Sequence, residues 1–186
     1  KGAQKRLFFL EKLRHYYLRN KLNKFIMKFD ICTIFPNILE SYINESIIKR
    51  ARENNIIEIQ THDIRQYTKD KHKKVDDTPY GGGAGMLMTP QPLYDCITDI
   101  KKTNKGPVIF FTPQGETFSQ KKAKELSTID ECILICGRYE GIDQRIRDLL
   151  IDQEISTELI IENFNNNLII KKHLVLNIYS KFKKTI

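Results

Sequence analysis

Two apolar runs without alternation limit the fold of this chain more than any other feature. They lie at 108–111 and 132–136. A strand with one face in water alternates apolar and polar residues, whereas a strand covered on both faces is apolar throughout. The predicted strands span 28–34, 56–61, 107–112 and 131–136. Because stretches of helical period separate these strands, the sequence predicts repeated βα units and a doubly wound α/β fold with a parallel sheet.

Helical periodicity fills the intervals between the predicted strands. After the first strand, Pro36 suits the first turn of a helix, and apolar residues recur at spacings of three and four as far as Ala51. Further helices are predicted at 91–102, 119–127 and 142–151, with Ser119 as an N-cap. Residues 63–90 follow neither period, and an irregular segment of that length inside a domain is usually functional or disordered.

The distribution of charge limits what composition says about partners. The chain has 186 residues and a formal net charge of +8, which is compatible with a polyanionic partner. The excess lies in the flanks, since residues 27–156 contain more acidic than basic side chains. We therefore expect a basic extension at 1–26 outside the fold, a domain at 27–156 and a divergent tail at 157–186. Net charge alone does not predict nucleic-acid binding by the domain.

The sequence contains no pattern typical of a membrane-spanning helix, a secretory signal or a metal site. No apolar run reaches the length of a membrane-spanning helix, and residues 1–26 lack the core of a secretory signal, so we expect a soluble cytoplasmic protein. The cysteines show no CxxC spacing and lie in apolar stretches, which favours buried thiols. His62 and His72 stand in no metal-binding motif, and no metal site is predicted.

Two of the predicted strands end in turns that contain glycine. The strand at 107–112 leads into Gly115, and the strand at 131–136 leads into 137–141. Ligands bind at the carboxyl ends of parallel strands, and glycine lets the backbone approach a flat ligand such as adenine. Together the turns could form a nucleoside pocket, whereas singly each glycine could merely shape a turn.

A denser glycine run at 81–85 lies in the irregular segment. It fits neither GxxxxGK[ST] nor a GxGxxG directly after a strand, which argues against a phosphate loop. Two interpretations stay open, a lid or substrate-facing loop and a plain surface loop.

Three blocks of sequence resemble one known family. They read VDDTPYGGGAGMLM at 75–88, TPQG at 112–115 and CGRYEGID at 136–143. Their order and spacing resemble those of the TrmD-type tRNA (guanine-N1)-methyltransferases, members of the SPOUT superfamily, over residues 27–156. The resemblance implies a sheet with a trefoil knot, S-adenosylmethionine as cofactor, methyl transfer to N1 of the guanine 3′ of the tRNA anticodon, and a homodimer with tRNA across both subunits.

The resemblance also implies roles for individual residues. The implied cofactor contacts are Phe110, Phe111, Thr112, Pro113, Gln114, Gly115, Gly137, Tyr139 and Gly141, with the two phenylalanines lining the adenine pocket. The residues implied to lie near the guanine are Tyr80, Gly81, Gly82, Gly83 and Gly85. Arg138 and Glu140 are implied to support catalysis. The family's general base, an aspartate in a later segment, matches no residue of this chain.

The chain departs from the family pattern after Ser156. Where the family continues with a third cofactor loop, a helix and a tRNA-binding domain, this sequence reads TELIIE at 157–162. We therefore expect an incomplete knot, a pocket that lacks one wall, and weak or no catalysis by this chain. The alternatives are a noncatalytic RNA-binding or partner-binding protein that uses its basic flanks, and another SPOUT RNA methyltransferase. The blocks at 80–86 and 138–140 argue against the latter.

Overall fold

The computed structural model describes residues 26–138 and 140–156. Tyr139, the tail at 157–186 and nearly all of the extension at 1–26 therefore lie outside the described residues, as does any closure of a knot after Ser156. The strands are β1 (Met27–Thr33), β2 (Ile57–Asp63), β3 (Asp76–Asp77), β4 (Leu87–Met88), β5 (Val108–Thr117), β6 (Glu131–Ile135) and β7 (Gln153–Ser156). The helices are α1 (Pro36–Ile43), α2 (Ser46–Glu53), α3 (Pro90–Ile100), α4 (Gln120–Leu126) and α5 (Gln144–Leu150).

In the part of the chain that the structure describes, five strands form one parallel sheet in the order β2-β1-β6-β5-β7. Phe29 and Cys132 belong to a core layer with α1, α2 and α4, whereas Cys32 and Ile133 belong to the layer with α3 and α5. Because successive strand residues point to opposite faces, β1 and β6 carry buried apolar residues on both sides. The doubly wound parallel sheet predicted from the sequence is confirmed.

The apolar period from Pro36 to Ala51 predicts one helix, and this expectation is wrong. The chain forms α1 and α2, separated at Asn44, where the backbone N–H caps α1 by bonding to the carbonyl of Glu40. Ser46 then has a φ of 52°, outside the right-handed helical region. Periodicity alone does not reveal such a break, because each short helix still turns its apolar residues toward the sheet.

Two strands differ from their sequence-based expectations. The strand predicted at 107–112 continues to Thr117, and β7 is not predicted at all. This edge strand reads Gln-Glu-Ile-Ser, and Ile155 is its only hydrophobic residue. A short polar edge strand carries too weak a pattern to be recognised locally. As expected, residues 63–90 contain little regular structure, namely one short 3₁₀ helix (Ile64–Gln66) and the antiparallel pair β3–β4.

Several local predictions agree with the structure. The Ser119 side chain accepts a hydrogen bond from the backbone N–H of Lys122 at 3.2 Å, which makes it the N-cap of α4. Cys32, Cys96 and Cys132 are buried, and Cys136 is partly buried. Within 26–138 and 140–156, every helix is too short or too polar to cross a membrane.

A buried carboxylate connects several parts of the sheet. Asp30 of β1 is 1% exposed and accepts hydrogen bonds from His62 Nε2 of β2 and from Asn104 Nδ2, which precedes β5, both at 2.7 Å. The Lys28 ammonium lies 3.3 Å away. Burial raises the pKa of Asp30, whereas the two hydrogen bonds and the Lys28 charge lower it, and the net pKa lies below its ordinary value. This network therefore holds Asp30 in its charged form.

Candidate functional site at the carboxyl edge of the sheet

The two glycine-containing turns lie side by side. Strands β5 and β6 are neighbours and run parallel, with Phe110 in register with Ile135. Parallel neighbours end at the same edge of a sheet, so residues 111–115 and 136–141 share the carboxyl edge. The juxtaposition required for a nucleoside pocket is therefore present.

The turn after Phe111 is a bulge in β5. Phe111 and Glu116 are both in register with Ile155 of β7, so residues 112–115 between them bulge out of the pairing with β7. Gly115 lies against the β7 backbone, since a Cβ there would approach the carbonyl carbon of Glu154 and the nitrogen of Ile155 to 2.5 Å. Thr112 and Gly115 are partly buried, and Pro113 and Gln114 are exposed.

Gly137 and the two phenylalanines define the base of the adjoining turn. Gly137 is exposed, and a Cβ there would lie 2.7 Å from Cε2 of Phe110. Phe110 is buried in the layer of α3 and α5, whereas Phe111 packs with the opposite layer. The two phenylalanine rings therefore lie on opposite faces of the sheet.

The loop after β6 is joined to the glycine run by backbone hydrogen bonds. Glu140 N–H donates to Met86 O and Met88 N–H donates to Gly141 O, both at 3.0 Å, and Asp143 N–H donates to Met88 O at 3.3 Å. The Glu140 side chain lies on Gly85, where a Cβ would stand 2.4 Å from Glu140 Cγ. The blocks at 81–85 and 138–141, distant in sequence, thus form one surface.

The other glycines of the run leave that surface open. Gly81, Gly82 and Gly83 have φ values of 89°, 82° and 123° and are exposed, with nothing within 4 Å of a built Cβ. Gly141 has a φ of 133° and is similarly open. These backbone conformations favour glycine on conformational grounds.

Arg138 and Glu140 point to different neighbours. The Arg138 guanidinium lies 5.4 Å from the centroid of the Phe35 ring, and Arg65 lies 5.3 Å from the same centroid. The two residues predicted to support catalysis are therefore on one loop but not in one cluster, since Glu140 faces Gly85.

Tyr80 is held at the start of α5. Tyr80 is 86% exposed, and the Arg145 guanidinium lies 5.7 Å from the centroid of its ring. Arg145 in turn donates two side-chain hydrogen bonds to Asp143, at 2.9 and 2.8 Å. These bonds hold the pKa of Asp143 below its ordinary value and raise that of Arg145. Asp143 also caps α5 by accepting from the Arg145 N–H.

Sequence reasoning missed Phe35, Arg65 and Arg145 as members of this edge. Phe35 and Arg65 follow β1 and β2, so a systematic search of residues after every predicted strand would have found them. No sequence pattern indicated that Arg145 lies at this edge. Among residues 26–138 and 140–156, no group of His, Cys, Asp and Glu could hold a metal ion.

The fold and the site together define a class of protein, that of parallel α/β domains with glycine-rich loops assembled at the carboxyl edge of the sheet. Comparison with known proteins identifies the family within this class. The family model of the tRNA (Guanine-1)-methyltransferase TrmD matches residues 27–161. The chain belongs to this family.

Individual relatives agree with the family match. The tRNA (guanine-N(1)-)-methyltransferases of Clostridium novyi (strain NT) and Clostridioides difficile (strain 630) are 58% and 53% identical over 130 and 133 residues, which is 70% of this chain in each case. The matches cover 53% and 58% of those relatives, so the chain spans about half their length. The crystal structure of a tRNA (m1G37) methyltransferase from Aquifex aeolicus superposes with a TM-score of 0.69 at 31% identity, covering 82% of this chain and 68% of that one.

Proposed function

We propose that this domain binds S-adenosylmethionine at the edge formed by 111–115 and 137–141, and takes part in methyl transfer to N1 of the guanine 3′ of the tRNA anticodon. The observation that supports this most is the parallel pairing of β5 with β6. It brings the two glycine-containing turns together, beside the loop that carries the glycine run.

The residues present fit an adenosyl group. Residues 112–115 bulge out of the β5–β7 ladder, which leaves backbone groups at the edge for the polar rim of adenine. Gly137 and Gly141 are without side chains on the facing turn, so a flat ring can approach the backbone. In this proposal Thr112, Pro113, Gln114 and Gly115 hold one side of the cofactor, and Gly137, Tyr139 and Gly141 the other.

The guanine would lie on the side of the glycine run. The open surface of Gly81, Gly82 and Gly83, with Tyr80 at one end, leaves room for a base next to Glu140. The exposed Glu140 carboxylate can accept a hydrogen bond from the N–H edge of guanine and thereby orient N1.

The chemistry requires loss of a proton from guanine. The new bond forms between N1 and the methyl carbon while the sulfur–methyl bond breaks, and the N1 proton passes to a base. S-adenosylmethionine supplies the activated methyl group. The described residues orient the guanine and keep it close to that methyl group, which lowers the entropic part of the barrier. We assign Glu140 to this task and place Arg138 at the flank, and we assign no described residue as the base.

Calorimetric titration of the 186-residue chain with S-adenosylmethionine tests the cofactor part of the proposal. We expect saturable heat, weaker for a Gly137→Ala variant, whose Cβ would meet the Phe110 ring, and unchanged for Arg50→Gln on α2. Absence of heat at millimolar cofactor would contradict it.

A transfer assay tests the reaction itself. We expect slow transfer, because no described residue is assigned as the base, and labelled methyl groups should enter a tRNA transcript with guanine 3′ of the anticodon and not the same transcript with adenine there. Cofactor binding without guanine-dependent transfer would restrict the proposal to the cofactor site. The homodimer and the cytoplasmic location belong to the same proposal, and sedimentation of the chain with and without tRNA tests the former.

A further inference from the structure

Three side chains meet at the carboxyl edge beyond the proposed cofactor site. Phe35 follows β1, Arg65 lies in the 3₁₀ helix after β2, and Arg138 follows β6. These strands are neighbours in the order β2-β1-β6. Both guanidinium carbons lie within 5.4 Å of the centroid of the Phe35 ring. We call these three residues the arginine platform.

The positive charges of the platform are not neutralised by the described part of the chain. Within 26–138 and 140–156, the arginines that form salt bridges are Arg145 and Arg147. Arg65 uses one nitrogen to donate to Ile34 O at 2.6 Å, which fixes its side chain and leaves its other donors unassigned. Arg138 is exposed and Phe35 is 38% exposed, so the platform can be reached from solvent.

The acids nearest in sequence, Asp63 for Arg65 and Glu140 for Arg138, do not cancel this charge. The Glu140 side chain lies on Gly85 and forms no salt bridge with Arg138 in the described part of the chain. The Asp63 carboxylate accepts hydrogen bonds from the backbone N–H of Arg65 at 2.9 Å and from Gln66 Nε2 at 3.2 Å, and not from the Arg65 guanidinium. Residues 27–156 as a whole contain more acidic than basic side chains. The platform is therefore a local concentration of positive charge on an otherwise mildly acidic domain.

Two guanidinium groups over one ring repel each other, and the ring offsets this only in part. An anion with several oxygens relieves the repulsion, and a planar guanidinium binds phosphate through two parallel hydrogen bonds. We propose that Arg65 and Arg138, ordered by Phe35, bind a backbone phosphate of the RNA next to the nucleotide that is methylated. This inference rests on the proposed function for the identity of the RNA.

Within the proposal, Arg65 and Arg138 contact the phosphate and Phe35 is a positioning residue. Phosphate contacts fix the register of a nucleic acid on a protein without reading its sequence. Arg138 of the platform and Glu140 belong to one short loop, Arg138 over the Phe35 ring and Glu140 against Gly85. A phosphate held at the platform would therefore help to place the adjacent base at the glycine run.

Binding of a labelled anticodon stem-loop to the full chain, measured by fluorescence anisotropy over a series of salt concentrations, tests the inference. Arg65→Gln should weaken binding about tenfold and reduce the salt slope by about one, as expected for the loss of one phosphate contact. Arg65→Lys should retain the slope with reduced affinity, because the charge remains without the planar fork. Arg50→Gln removes the same charge on α2, which packs in the core layer with α1 and α4, and should change neither value.

Phe35→Leu isolates the positioning role. It keeps an apolar side chain and both arginines, so we expect a loss of affinity of about threefold to tenfold with an unchanged salt slope. Urea unfolding of each variant checks that the fold is retained.

Several results would overturn the inference. One is an Arg65→Gln variant with the affinity and slope of Arg50→Gln, and another is absence of stem-loop binding by the unmodified chain. Displacement of the stem-loop by ATP at matched ionic strength would indicate a free-nucleotide site instead. Loss of cofactor heat in Arg65→Gln would assign the guanidinium to the cofactor. Unchanged cofactor heat with unchanged RNA affinity would reject the platform and leave the proposed function intact.

Discussion

Gly85 differs from its neighbours because it combines a positive φ with close packing. Its φ of 90° resembles that of Gly82, 82°, yet only at Gly85 would a Cβ meet another residue, Glu140. Any L-residue at either position incurs about 1–2 kcal/mol of backbone strain. The contact with Glu140 is an additional constraint, and it connects the glycine run to the loop after β6.

Alanine substitutions at Gly82 and Gly85 distinguish the effect of backbone strain on stability from the effect of the contact with Glu140. Gly82→Ala should lower the free energy of unfolding by the strain alone. Gly85→Ala should lower it by about 1 kcal/mol more, because Glu140 must leave its rotamer. Urea unfolding measures both values.

The same pair in a Glu140→Ala background provides the control. There the excess cost of Gly85→Ala should vanish, since the clashing side chain is gone. If Gly85→Ala lowers the free energy of unfolding by the same additional amount with and without Glu140, the contact with Glu140 does not cause that additional loss.

At the level of elements, the bulge of β5 depends on its packing against β7. Both strands lie at one side of the sheet, and the Phe118 N–H after the bulge donates to Ser156 O at 2.7 Å. Gly115 is the point of closest approach, since the atoms that a Cβ would meet belong to the β7 backbone. A backbone contact cannot be relieved by a side-chain rotation.

Gly115→Ala should therefore destabilise the domain by about 1–3 kcal/mol, the usual cost of overpacking. Gln114→Ala, in the same bulge but exposed, should change stability by less than about 0.5 kcal/mol. Equilibrium unfolding in urea distinguishes the two. Equal stabilities would mean that the bulge is not held by its contact with β7.

At the scale of the whole molecule, Asp30 ties together β1, β2 and the segment before β5. Its folded-state pKa lies below the ordinary value of 3.8. A depressed carboxylate pKa contributes stability that is complete above the unfolded-state pKa and is lost as the pH falls through the folded-state pKa. The groups that face it are Lys28, His62 and Asn104, with Cys132 nearby.

Asp30→Asn should lower the free energy of unfolding by about 3 kcal/mol at neutral pH, near the lower end for a broken buried ion pair. The lower end applies because Lys28 and His62 retain 22% and 15% side-chain exposure. The difference from the unmodified chain should shrink as the pH falls below the ordinary carboxylate pKa of 3.8, because Asp30 of the unmodified chain then becomes protonated.

Chemical unfolding at a series of pH values measures this difference directly. Asp148→Asn, an exposed carboxylate on α5, serves as the control and should cost less than about 0.5 kcal/mol at every pH. A difference for Asp30→Asn that does not shrink on acidification below pH 3.8 would show that the charge of Asp30 does not stabilise the fold.

The sequence by itself determined the class of fold and local features such as buried strands and a helix cap. Unbroken apolar runs at β5 and β6 require cover on both faces, and Ser119 caps α4 through a contact three residues away. Such features depend on neighbours along the chain, so they can be recognised without coordinates.

The tertiary structure alone decided which loops meet. The order β2-β1-β6-β5-β7 places Phe35 and Arg65 beside Arg138, and it places the bulge of β5 beside Gly137. It also positions β7, whose polar sequence carries no strand pattern of its own. The physical reason is that strand order depends on which elements bury the most surface together, a property of contacts between residues far apart in sequence.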